Sequence, residues 1–152
     1  MSLSPPPLDG NNLVVSHDHA EILDIDDVIR RISRQHVVPD PKVPSGDKIS
    51  TMAFQASTGI NGGMSIDLKT RLEVDGLDVV AHVTSPEWIG SVEIGVKFLR
   101  GLGLQVGYDP LPNNAYHGEV WGDFTKPIKK QILSSAKWFV KIPNVYLNES
   151  VN

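Results

Sequence analysis

Hydrophobic and polar positions along this chain change period every few residues, and the short runs predict brief elements joined by turns. Ile25, Val28, Ile29 and Ile32 keep helical spacing, while Val28, Arg30 and Ile32 also alternate. The β-branched content and the approach of Pro39 favour a strand over 28–32. Residues 64–68 read as a strand after a glycine-rich bend at 59–63, and lead into a polar helix ending near Gly76. Val92, Ile94 and Val96 share one face of a strand over 91–96. Two more strands, 104–108 and 116–122, flank Asp109-Pro110 and Pro112-Asn113-Asn114, which mark a turn and so predict an antiparallel pair.

The clearest helix covers 126–138. Thr125 is placed to cap it, Pro127 falls in the first turn, where proline is tolerated, and Pro143 bars continuation. Ile128, Ile132, Leu133 and Ala136 form its apolar stripe. Shorter signals suggest a strand at 13–16 and single helical turns at 50–56 and 97–102. Residues 77–83, ended by Pro86, fit either period. Three prolines and Gly46 within 39–48 predict a loop with no regular element. Residues 1–12, with Pro5-Pro6-Pro7, read as a mobile lead-in to a single domain over 13–152. The expected class is α+β: a mainly antiparallel sheet with a C-terminal amphipathic helix.

Composition narrows the function classes. The 152 residues suffice for one core, and 40% hydrophobic with 21% charged is ordinary for a globular chain. A net charge of -4 gives no general attraction to nucleic acid or to an anionic membrane. The absence of cysteine excludes disulfides, thiolate metal sites and a cysteine nucleophile. No apolar run approaches the roughly 20 residues of a spanning helix, and residues 1–12 show no signal-peptide pattern, so the expected setting is cytoplasmic.

Several motifs are set aside by their context. His17-Asp18-His19 would aim two imidazoles the same way on a strand, yet a metal site needs further ligands, and none is assigned. Gly101, Gly103 and Gly107 are spaced one residue too long for a dinucleotide fingerprint and precede a strand, so a helix end and a turn account for them. No G-x-S-x-G elbow marks a serine nucleophile. Lys126, Lys129, Lys130, Lys137 and Lys141 form a basic run that reads as a solvated face. The acidic stretch 18–27 offers that run a counterpart in another copy, which would make a homo-oligomer.

The chemically suggestive residues are Arg31, His36, Ser50, Ser65, His117 and Glu119. On a strand His117, Glu119 and Trp121 share a face, giving an imidazole, a carboxylate and an aromatic along one wall. Arg31 is suited to clamp a phosphate, His36 or His117 to act as acid or base, and Ser65 to orient a substrate.

Two resemblances add to this reading. The segments Ile29-Arg30-Arg31-Ile32, His36-Val37-Val38-Pro39-Asp40, Ser50-Thr51-Met52-Ala53-Phe54 and Met64-Ser65-Ile66-Asp67 resemble the opening of a set of uncharacterised bacterial single-domain proteins. Leu102-Gly103-Leu104, Asp109-Pro110-Leu111-Pro112 and the His117 strand continue the pattern over about residues 28–122. That resemblance implies a bacterial origin and one domain, and no chemistry. Arg31 and Ser65 also resemble the arginine and serine that line the NAD pocket of RES-type domains, relatives of the ADP-ribosyltransferases. That likeness implies NAD glycosidic-bond chemistry, with Glu119 stabilising developing positive charge on the ribose; the family's own glutamate has no clear counterpart in this sequence.

The expectation is therefore a small non-catalytic module that binds a protein partner or small ligand and needs no cofactor. Its rival is an enzyme acting on a phosphate-bearing nucleotide such as NAD through Arg31, Ser65, His117 and Glu119.

Overall fold

The computed structural model describes residues 3–42, 46–57, 62–84 and 88–148. Nine strands appear in chain order among the described residues. They are β1 (Asp27–Ser33), β2 (Val37–Pro39), β3 (Asp47–Ile49), β4 (Met64–Leu68), β5 (Trp88–Gly95), β6 (Gln105–Tyr108), β7 (His117–Trp121), β8 (Lys137–Val140) and β9 (Val145–Tyr146). Four helices accompany them: α1 (Lys69–Val74), α2 (Val79–Val83), α3 (Val96–Gly101) and α4 (Lys126–Ser135). The fold is α+β in one domain. A six-stranded sheet runs β6-β7-β4-β1-β5-β8 with every neighbour antiparallel. A smaller sheet, β2-β3-β9, contains a single parallel pair, β3 with β9. No helix among the described residues is long and apolar enough to cross a membrane.

Alternation along the strands sorts the large sheet into two unlike faces. Val28 and Ile32 of β1, Met64, Ile66 and Leu68 of β4, and Val92 and Ile94 of β5 point into the main core with Val106 and Val120. Phe54, Leu99 and Ile132 close that core from a 3-10 turn, α3 and α4. The opposite face holds a much smaller apolar cluster of Ile29, Leu72, Val79 and Val83, with Tyr116 and Phe139 against it. Beyond the cover of α1 and α2 this second face is polar. It carries Arg31, Ser65, Asp67, His117 and Glu119, brought level by the registers Ile29↔Asp67, Asp67↔His117 and Ser65↔Glu119.

Local signals explain most element ends. The Thr125 hydroxyl accepts the Ile128 amide at 3.3 Å, and Pro127 sits in the first turn of α4. Ser50 caps the 3-10 turn at Thr51–Phe54 by accepting the Met52 amide at 3.1 Å. Gly103 takes φ +83, the left-handed conformation glycine adopts freely, and ends the turn after α3.

Three expectations need correction. The helix expected over 126–138 ends at Ser135, because Lys137–Val140 joins the sheet edge as β8 and pairs with β5. The segment 39–48 is not wholly irregular: Pro39 closes β2, and Asp47 and Lys48 open β3 of the same hairpin. Residues 13–16 form no strand, only a bridge between Leu8 and Val14. The expected bend at 59–63 lies largely outside the described residues, as does Pro86.

The N-terminal lead-in is anchored at Leu3, which is buried in the main core, and at Ser4, whose amide donates to Glu21. The acidic stretch 18–27 meets its cation within the same chain. Arg100 donates to Asp18 at 3.0 Å and Asp24 at 2.8 Å, and also to the carbonyls of His19 and Ile22.

Candidate functional site

Strand register and side-chain parity place three of the six candidates, Arg31, Ser65 and His117, around one cavity. It measures about 430 Å³ and is lined by Arg31, Ser65, Asp67 and His117 from three adjacent strands. Arg30, His82 of α2, Trp88 of β5 and the turn residues Leu111, Asn113 and Asn114 add to its wall. This volume lies within the range of small-ligand pockets.

Arg31 does not face the cavity as a free cation. Its Nε donates to Asp67 Oδ2 at 2.8 Å and its Nη2 to Asp67 Oδ1 at 3.0 Å, with a further bond to the His82 carbonyl at 3.2 Å. Asn114 extends this network by donating to Asp67 Oδ1 at 2.8 Å. Its own Oδ1 accepts the Tyr116 amide, so His82 Nε2, 3.0 Å from the same oxygen, is the donor there. The phosphate-clamp role expected of Arg31 is thus taken up by an internal carboxylate.

Arg30 is the cation the sequence reading passed over. The β1–β4 ladder has two register pairs, and next to it Arg30 bridges the chain by donating to Ser65 O at 2.9 Å and Ala53 O at 2.8 Å. Both acceptors are neutral carbonyls, and among the described residues no carboxylate lies within 4 Å of this guanidinium. Burial pulls its pKa down to about 10 against the steadying charge of Glu119. A half-buried cation with no paired carboxylate among the described residues is free to meet an anion.

His36 lies in an adjoining cavity of about 140 Å³ that shares Arg30 and Ser65 with the larger one. Its Nδ1 accepts the Ser33 amide at 3.1 Å, so the neutral ring carries its proton on Nε2. Burial, helped by Arg30, pushes its pKa down to about 4. At neutral pH His36 is therefore an uncharged imidazole. Ser50, the remaining candidate, is used as a cap and stands apart from both cavities.

Behind His117 sits a tighter cluster. His117 Nδ1 lies 2.8 Å from the Asp109 carbonyl, which can only accept, so Nδ1 carries the proton and Nε2 presents its lone pair. Nε2 is 3.7 Å from Glu119 Oε2, and the Asp109 carboxylate is 3.6 Å from Nδ1. Side-chain exposures are 12%, 6% and 10% for His117, Glu119 and Asp109, so all three are largely withdrawn from water. Burial pushes the Glu119 carboxyl up, opposed by His117, the Ser65 hydroxyl and Arg30 and reinforced by Asp109. Oε2 of Glu119 is buried with no hydrogen-bond partner among the described residues, an arrangement that costs about 1–3 kcal/mol unless something fills it.

The other candidate motifs are absorbed by structure. His17 Nδ1 meets the Val15 carbonyl and its Nε2 accepts the Tyr108 amide. His19 likewise uses Nε2 on the Ser4 carbonyl and Nδ1 on the Glu21 amide. With both nitrogens of each ring committed to backbone, the His17-Asp18-His19 pair is not poised as a ligand set. Trp121 is buried beside His17, and Gly107 makes room for it: a Cβ there would sit 2.4 Å from the indole. Lys137 and Lys141 lie beyond α4, and Trp138 and Phe139 are half-buried against the two cores, so the basic run lacks exposed stacking groups. A separate cleft of about 240 Å³ beside Leu3 is lined by Arg71 and Asp75, which are engaged with the Glu21 carbonyl and the Tyr116 hydroxyl.

Sequence reasoning missed Arg30, Asp67, His82, Asn114 and the site role of Asp109. Alternation held one usable signal: Ser65 and Asp67 lie two apart on a strand and share a face. Comparison with protein-family models, curated proteins and solved structures finds no match.

Proposed function

We propose that this chain is a small binding module whose ligand is a compact polar molecule bearing an anionic group. One observation carries the reading: a cavity of about 430 Å³ has in its wall Arg30, a half-buried cation with no carboxylate partner among the described residues. Ser65, His82, Asn114 and His117 add polar groups that fix orientation, and half-buried Trp88 adds an apolar surface for a ring. An exposed Trp121 would have suited an aromatic anchor for a protein partner; its burial supports a small ligand instead.

The test is a thermal-shift screen against nucleotides, phosphosugars and inorganic phosphate. A ligand at a hundred times its dissociation constant stabilises the native state by about 2.7 kcal/mol. At least one anionic compound is expected to raise the melting temperature of the wild type and not of Ser65→Trp, whose indole would occupy the cavity. No shift with any anionic compound counts against the reading.

A second reading is an enzyme acting on a phosphate-bearing nucleotide such as NAD. It is favoured by Ser65 standing directly opposite Glu119 in the β4–β7 register, with His117 beside it on the cavity wall. In that reading Arg30 takes the phosphate, since Arg31 is held by Asp67. Release of nicotinamide from NAD by the wild type, lost in Glu119→Gln, would place this reading ahead of simple binding.

A further inference from the structure

We propose that Asp109, His117 and Glu119 form a site for one divalent transition-metal ion of the zinc class, open to the large cavity through His117. Three observations converge on it, and none depends on whether the cavity also takes an organic ligand.

The first is convergence. One ligand atom from each residue lies within 4.8 Å of the other two, although the residues come from β7 and from the loop ahead of the turn. One imidazole and two carboxylates are a donor set that zinc accepts, and three protein ligands leave a position for water or substrate.

The second is the orphaned oxygen. Glu119 Oε2 is fully withdrawn from water and has no hydrogen-bond partner among the described residues, in a side chain only 6% exposed. It faces His117 Nε2 at 3.7 Å, too far for a hydrogen bond. Ligand atoms at opposite ends of a tetrahedral edge around zinc stand roughly 3.4 Å apart, given bonds of about 2.1 Å. The observed gap is therefore close to the one a bridging ion needs.

The third is the tautomer. Metal-bound histidines commonly donate their other ring N–H to a carbonyl or carboxylate, which fixes the ring and raises its basicity. Asp109 supplies that acceptor through its backbone oxygen, 2.8 Å from His117 Nδ1. The free lone pair is consequently on Nε2, the nitrogen facing Glu119. By contrast, His17 and His19 have both nitrogens engaged, and His82 is a donor to Asn114. Two carboxylates balance a divalent ion, and Arg30 nearby then favours an anion at the open position.

The experiment uses chelator-stripped full-length protein titrated with Zn²⁺ in competition with a chromophoric chelator, together with histidine ring ¹⁵N spectra. The expected result is one Zn²⁺ per chain, with the His117 Nε2 resonance moving among the five histidines of the sequence. Glu119→Gln and His117→Gln should each weaken binding by roughly a hundredfold or more, whereas His82→Gln should retain it. Absence of stoichiometric binding by the wild type overturns the proposal. So does binding that moves His17 or His19 instead, or that survives in folded Glu119→Gln. The wild-type spectra decide the matter even if a variant fails to fold.

Discussion

Arg31 holds Asp67 with both arms of its guanidinium, Nε to Oδ2 at 2.8 Å and Nη2 to Oδ1 at 3.0 Å. The fork geometry matches a carboxylate as well as it would match a phosphate. This pairing ties β1 to β4 on the polar face and turns the more obvious arginine into a wall of the cavity. Asp67 is 4% exposed and Arg31 21%, so removing the carboxylate strands a partly buried cation. Asp67→Asn is expected to destabilise the fold by about 2–4 kcal/mol in urea unfolding. Replacing both partners, as Arg31→Met with Asp67→Leu, should cost less than the two single changes added together.

His36 gives stability a defined pH dependence. Its folded pKa of about 4 lies below the ordinary value of 6.5, so the unfolded chain binds more protons between the two. Its contribution is complete above pH 6.5 and is lost as pH falls through that window toward 4, by at most about 3 kcal/mol. In urea titrations at stepped pH, His36→Gln should show a shallower loss across pH 4–6.5 than the wild type. An unchanged slope would mean that His36 is not the titrating group.

Gly107 is required by a close approach rather than by its backbone conformation. A Cβ would meet the Trp121 indole at 2.4 Å and the His17 carbonyl at 2.7 Å. Gly107→Ala should cost about 1–3 kcal/mol through overpacking and shift tryptophan emission as Trp121 is displaced. Retention of both wild-type stability and emission would contradict this packing.

Two changes in α4 separate capping from packing. Thr125→Ala removes the acceptor for the Ile128 amide and should cost about 1 kcal/mol. Ile132→Ala empties a fully buried position in the main core and should cost about 2–5 kcal/mol. Denaturant midpoints at constant m-value check both.

What the sequence disclosed follows the range of each signal. Thr125, Pro127 and the spacing of Ile128 and Ile132 are local cues, and they located α4 and its start correctly. Its end was missed because the pairing of Lys137–Val140 with β5 depends on residues 44 to 49 positions earlier. The β2–β3 hairpin was hidden by its prolines, yet Pro39 lies on β2, an edge strand of the small sheet, where a missing N–H is tolerated. At the site, alternation correctly put His117 and Glu119 on one face, since a strand has period two wherever it pairs. Asp109 was legible only as a turn residue. The choice of Arg31 over Arg30 turned on which one finds an acid, and Asp67 lies 36 residues away from Arg31.

The most direct test of the proposed binding site is chemical-shift mapping of the ¹⁵N-labelled protein, with adenosine monophosphate as probe. Saturable perturbations are expected at the Ser65, Asp67, His82 and Asn114 amides and the Trp88 indole, with Arg30 Nε following the same isotherm. Perturbations confined to the Lys126–Ser135 helix, or none at millimolar probe, would contradict a ligand site in this cavity.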